Sequence, residues 1–222
     1  TTANVAQANE LAAATTGELD FAAGLTDSAA NMAVAVTGGG DTAGDEKAGF
    51  TAATDDDTDT VVIVTTAANV AQANAIALAT TGLVTFQAGI TDDIGAMVDG
   101  GSGNATTAFA NATDGASNDK GDGNTLVTVN DAVTVAQAKE VAANTTGTMA
   151  FTTGIEDAVA SLVNAGNTDE HADLAIITAR TTDVIIKVTD EVTVAQANII
   201  ATATTGQVDF TGSIDGAADS MA

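Results

Sequence analysis

The residues best placed to do chemistry in this chain are its acids and amides. Asp55-Asp56-Asp57-Thr58-Asp59 forms one run, and Asn118-Asp119-Lys120-Gly121-Asp122-Gly123-Asn124 forms another. A hard cation such as Ca2+ takes about six to eight oxygen ligands in flexible geometry, which carboxylates and amides on a glycine-rich turn can supply. The candidate metal ligands are therefore Asp55, Asp57, Asp59, Asn118, Asp119, Asp122 and Asn124, with Ca2+ the expected ion. A plain solvated acidic turn is the competing reading. The second run is not an EF-hand loop, because no acid stands at its closing position. A third acidic region holds only Asp169, Glu170, Asp173 and Asp183.

Other chemistry finds little support. His171 is the single histidine and lies in a polar stretch, without Ser or Cys partners at catalytic spacing. With no cysteine there is neither a disulfide nor a thiolate metal site. Gly38-Gly39-Gly40 and Gly100-Gly101 lack the residues of a phosphate-binding loop and read as loop glycines. The expectation is a protein that is not an enzyme. Thirty acids against five Lys or Arg give a formal net charge of -25. Such a surface repels nucleic acid and anionic membranes and attracts cations. No apolar run approaches the roughly 18 to 20 residues of a membrane span, so membrane insertion is not expected. The acidic, Cys-free composition suits a secreted surface protein, with a halophilic cytosolic protein as the competing explanation.

The acids sit between copies of a repeat, and the repeat must position them. Val-Ala-Gln-Ala begins at Val5, Val70, Val135 and Val194, and Thr-Thr-Gly ends at Gly17, Gly82, Gly147 and Gly206. A phenylalanine follows at 21, 86, 151 and 210, and the copies are 65, 65 and 59 residues apart. Fixed periods of this size mark a repeat architecture. The units are residues 1–65 (lacking a leading strand), 66–130, 131–189 and a truncated 190–222.

Within a unit, Val70, Ala73, Ile76 and Ala77 recur at helical spacing. They match Val5, Ala8, Leu11 and Ala12, then Val135, Ala138, Val141 and Ala142, then Val194, Ala197, Ile200 and Ala201. A Thr or Asp upstream is the expected N-cap, and the Gly of Thr-Thr-Gly the left-handed C-cap. A strand ending at each phenylalanine follows, with Leu19, Val84, Met149 and Val208 also pointing inward. A shorter second helix then carries Leu25 and Met32; Ile90, Ile94 and Met97; Ile155, Val159 and Leu162; Ile214 and Met221. Asp27, Asp92, Glu156 with Asp157, and Asp215 open that helix and complement its dipole. Weak strands at 50–53, 108–112 and 174–178 precede the closing strands 61–64, 126–129 and 184–188. Strands alternating with helices imply parallel pairing and right-handed crossovers. The expected fold is an α/β protein, a right-handed α/β solenoid of stacked strand-helix-strand-helix repeats with parallel strands. Neither end shows a polar capping unit, so copies of the chain are expected to stack head to tail.

The run Thr193-Val194-Ala195-Gln196-Ala197-Asn198-Ile199-Ile200, with Thr204-Thr205-Gly206 and then Ile214-Asp215, resembles repeats of very large secreted bacterial surface proteins. Those proteins, often cyanobacterial, also carry hemolysin-type calcium-binding segments. The resemblance covers about 30 residues of each copy and leaves the variable loops uncovered. It implies an extracellular or cell-surface location, calcium dependence, and adhesion or surface-layer duty. The calcium-binding nonapeptide itself has one partial counterpart, Gly121-Asp122-Gly123-Asn124. From these observations an extracellular structural protein assembling end to end into a filament or surface layer is expected. The alternative is an adhesin arm whose loops, 42–59, 103–124 and 167–183, meet a ligand.

Overall fold

The computed structural model of the chain describes residues 1–34, 46–113 and 124–216. It divides into two compact units, residues 1–128 with 143–148, and residues 129–142 with 149–222. The first unit begins α1 (Val5–Ala14), β1 (Leu25–Asp27), α2 (Ala29–Met32) and α3 (Ala48–Asp56). It continues β2 (Val62–Val64), α4 (Val70–Ala79), β3 (Val84–Phe86), β4 (Ile90–Asp92), α5 (Ile94–Met97) and α6 (Thr107–Thr113), and reaches into β5 (Val127–Val129). The second unit takes most of α7 (Val135–Ala143), then β6 (Met149–Phe151), β7 (Ile155–Asp157), α8 (Val159–Leu162) and α9 (Ala172–Thr178). It ends with β8 (Ile186–Val188), β9 (Val192–Thr193), α10 (Val194–Ala203), β10 (Val208–Phe210) and β11 (Ile214–Asp215).

The fold is mixed α/β, with parallel strands in small, open sheets. In the first unit β1, β2 and β3 lie side by side, with Leu25, Val62 and Val84 in register. In the second, β7, β8 and β10 align Ile155, Ile186 and Val208, and β11 pairs with β9. The same parallel bridge recurs ahead of each long helix, between Ala3 and Leu25, Ala68 and Ile90, and Val133 and Ile155.

Val-Ala-Gln-Ala is a helix start because its Gln is the third residue of a capping box. Asn4 accepts from the Gln7 N–H at 2.8 Å while the Gln7 side chain accepts from the Asn4 N–H at 3.1 Å. Asn69 with Gln72 and Thr193 with Gln196 repeat the arrangement, and Thr134 with Gln137 does the same for α7. The cap is thus Thr in two copies and Asn, rather than Asp, in the others; the amide oxygen accepts as a carboxylate would. The expected stripe is buried throughout in α4 and α7, whereas in α1 Leu11 is exposed and in α10 only Ile200 is fully covered.

Three local expectations are corrected. Residues 50–53, 108–112 and 174–178 are helical, within α3, α6 and α9. Phe50, Ala53 and Thr54, then Phe109, Ala112 and Thr113, then Leu174, Ile177 and Thr178 are buried at i, i+3 and i+4, one helical face that a strand would split between its two sides. Each threonine hydroxyl donates to the carbonyl four residues back, so it is satisfied without leaving the helix. The second helix is cut down to the single turns α2, α5 and α8. Leu25, Ile90 and Ile155 instead begin strands, drawn into the ladder by the closing strand that runs beside them. Met221 lies outside the described residues.

The third correction concerns Thr-Thr-Gly. The residue after the helix, Thr15, Thr80 or Thr204, is extended, and none of Gly17, Gly82, Gly147 and Gly206 is left-handed. The glycine is needed for close approach instead. A Cβ on Gly82 would sit well inside contact distance of the Asp59 and Thr60 carbonyl oxygens, and one on Gly206 would meet those of Asp183 and Val184. The first threonine fastens the same junction: the Thr80 hydroxyl donates to the Thr60 carbonyl at 2.7 Å and accepts from the Gly82 N–H at 2.9 Å. Thr145 and Thr204 do likewise with Thr125 and Val184. Left-handed glycines do occur, three residues after the phenylalanine, at Gly24, Gly89 and Gly154.

Candidate functional site

The first acidic run gathers around a cleft of about 600 Å3 lined by Glu18, Leu19, Asp20, Asp55, Asp57, Thr58 and Asp59. Asp55 lies near the end of α3 and is exposed, and Asp59 is exposed on the turn before β2. Asp57 follows the last helical residue and accepts from the Phe21 N–H at 2.7 Å. Its carboxylate thereby holds the segment Glu18–Phe21, which was expected as a strand but is not one. Glu18 and Asp20 join the cleft from a segment far away in sequence, so no local spacing could have marked them. Among the described residues, no three or more His, Cys, Asp or Glu side chains converge closely enough to hold a metal ion. Of the second run, Asn124 is described and exposed, while Asn118, Asp119 and Asp122 lie outside the described residues. The cleft is therefore an open concentration of carboxylates. Its negative potential attracts cations.

A second set of acids has a structural duty that the sequence reading missed. Asp27 Oδ2 accepts from the Val5 N–H, Asp92 Oδ2 from Val70 and Asp157 Oδ2 from Val135, at 3.0 to 3.1 Å and each time 22 residues apart. The other oxygen of each accepts from the next residue's N–H, Ser28, Asp93 or Ala158, at 2.8 to 2.9 Å. These acids were expected to serve the helix that follows them. They serve the preceding long helix, whose first N–H groups have no intrahelical acceptor, because parallel pairing brings the strand end beside that helix start. The signal was present as an acid at constant spacing from Val-Ala-Gln-Ala; Gly216 occupies the place in the fourth copy. Asp92→Ala is expected to cost about 1 to 2 kcal/mol, as helix-cap losses do, with Asp92→Asn milder. Thermal unfolding checks this; equal stability of wild type and Asp92→Ala would refute the role.

His171 caps α9, its Nδ1 accepting from the Asp173 N–H at 3.2 Å, and Asp173 pairs with Lys139 at 2.8 Å. Nearby, burial raises the Glu170 carboxyl above its ordinary range, against the Thr178 hydroxyl that favours its charge, with Asp169 adding repulsion. A raised acid binds its proton more readily folded than unfolded. Its contribution to stability is thus largest at low pH and falls as pH rises from the ordinary carboxylate value through the raised one. Glu170→Gln is expected to remove that fall, so the stability difference between variant and wild type grows across this window toward neutrality. Melting temperatures taken through it provide the check.

Ile214 in β11 is 47% exposed, while Leu25, Ile90 and Ile155 at the matching positions are fully buried. Together these features define an acidic α/β protein built from a repeated helix-and-parallel-strand unit. Comparison with protein-family models, with curated proteins and with solved structures found no match.

Proposed function

We propose that this chain is an extracellular or cell-surface structural repeat protein, a right-handed α/β solenoid whose copies assemble head to tail into a filament or surface layer. The observation that carries the reading is recurrence: a Gln-centred capping box starts all four long helices, and the same parallel bridge precedes α1, α4 and α7. Units of this kind cover their apolar faces by stacking on one another, and head-to-tail contacts between copies extend such a stack. The family resemblance of Val-Ala-Gln-Ala and Thr-Thr-Gly supports the same role, and the acidic surface keeps the unassembled chain soluble. Sedimentation and electron microscopy of the purified chain with Ca2+ provide the test. Concentration-dependent large assemblies are expected, and a monomer at high concentration refutes the proposal.

A second reading, a calcium-dependent binding module or adhesin arm, is favoured by the carboxylates around the Glu18–Asp59 cleft. Cations bound to the folded state stabilise it by mass action. On this reading chelation lowers the melting temperature at low ionic strength, and Asp55→Asn with Asp59→Asn removes most of the effect. An unchanged melting temperature would leave these acids as solvated turns.

A further inference from the structure

The glutamine of Val-Ala-Gln-Ala uses its two polar atoms differently. The side-chain oxygen of Gln72 accepts from the Asn69 N–H at 3.3 Å, and that of Gln196 from the Thr193 N–H at 2.9 Å, which completes each capping box. Glutamate fills that place in a capping box equally well, and its charge favours a helix N-terminus. In a chain with thirty acids against five Lys or Arg, the box alone gives no reason for an amide. What an amide adds to a carboxylate is a donor. In both residues that donor reaches into the preceding repeat. Gln72 Nε2 donates to the Ala33 carbonyl at 3.2 Å, and Gln196 Nε2 donates to Asn167 Oδ1 at 2.8 Å.

Both acceptors follow the single-turn helix of the preceding repeat, Ala33 directly after α2 and Asn167 in the turn beyond α8. Ala33 and Gln72 are both buried, and α2 packs against α4 there, so loss of the donor leaves a buried carbonyl without a partner. Asn167 is exposed and lies at φ 50°, the only non-glycine residue in the left-handed region among the described residues. Asparagine tolerates that geometry better than most residues.

We propose that this glutamine amide is the contact by which one repeat recognises the one before it, its oxygen starting its own helix and its nitrogen reading an acceptor placed after the preceding single-turn helix. On the stacking reading, on which this rests, the partner of a repeat is another repeat that offers such an acceptor. Gln72→Glu is nearly isosteric, keeps the oxygen of the capping box and replaces only the donor. At neutral pH it sets a carboxylate against the buried Ala33 carbonyl, and the unfolding constant measured in urea should rise at least about tenfold. In acid the protonated side chain donates in place of the amide, so the loss should shrink as pH falls through the carboxylate range. Asp92 at the same helix start, and Glu46 and Lys47 beside the Ala33 end, are common to variant and wild type and cancel in the difference. Gln7 is exposed and bonds, among the described residues, only within its box, so Gln7→Glu should lose nothing. Gln196→Glu should also be tolerated, because the Asn167 amide can turn to offer its Nδ2, and adding Asn167→Asp should bring the loss back. Equal effects of Gln72→Glu and Gln7→Glu, or a Gln72→Glu loss indifferent to pH, overturn the proposal. If Gln72→Glu is unfolded at neutral pH, recovery in acid is the expected result, and failure there while wild type stays folded overturns it. Sedimentation of the same samples separates the two ideas. A monomeric chain that Gln72→Glu alone damages refutes head-to-tail assembly and leaves the contact standing. Assemblies that form while all three single variants behave alike do the reverse.

Discussion

Gly82→Ala is expected to destabilise the chain by about 3 kcal/mol, whereas Gly17→Ala in the same motif should be neutral or stabilising by about 0.5 kcal/mol. Local sequence does not separate the two glycines, since both end Thr-Thr-Gly and neither is left-handed. What differs is the neighbour. A methyl on Gly82 would be forced into the Asp59 and Thr60 carbonyls, backbone atoms fastened by the Thr80 hydroxyl and unable to yield cheaply. At Gly17 the nearest atom to such a methyl is the Thr15 hydroxyl oxygen at 3.5 Å, an ordinary contact. Alanine there mainly restricts the unfolded chain. Urea unfolding of both variants beside wild type measures the difference. Equal losses would show that the glycine acts through backbone freedom after all, and Gly147→Ala and Gly206→Ala should follow Gly82.

Phe109→Ala should cost about 3 to 5 kcal/mol, and Phe210→Ala about 1 kcal/mol, a difference that hydrogen exchange and thermal unfolding can measure. Phe109 lies on α6 and is fully buried against α4, whereas Phe210 is half-buried. A helix of seven residues is too short to persist by its own propensity, so tertiary packing is what holds α6. Loss of the ring should therefore release α6 amides to exchange well before those of α4. A Phe210→Ala variant as damaged as Phe109→Ala would contradict this ordering. Phe50, fully buried on α3, should behave as Phe109 does.

That ordering reverses the emphasis of the repeat. Four phenylalanines share one slot after Thr-Thr-Gly, yet the two outside it are the most buried, and the slot itself grades from covered Phe86 and Phe151 to half-buried Phe21 and Phe210. The same local motif receives unequal cover because cover comes from other elements. The candidate site divides in the same way. Asp55, Asp57 and Asp59 were visible as an acidic run, but Glu18 and Asp20 reach the same cleft from another segment. Asp57 also turned out to be committed to the Phe21 N–H.

The sequence by itself determined what depends on near neighbours: the repeat, the four long helices with their Gln-centred capping boxes, the closing strands and the parallel α/β class. Capping and periodicity act over three or four residues, so they are written in consecutive letters. Tertiary structure alone decided the rest. Pairing with a closing strand made Leu25, Ile90 and Ile155 strand residues, and burial against the long helices made Phe50 and Phe109 helical core. Parallel registry joined Asp27, Asp92 and Asp157 to helices 22 residues upstream. The same registry turned Gly82 from a presumed cap into a point of backbone contact. In each case the energy lies in a contact between segments distant in sequence, and such a contact exists only once the chain has brought them together.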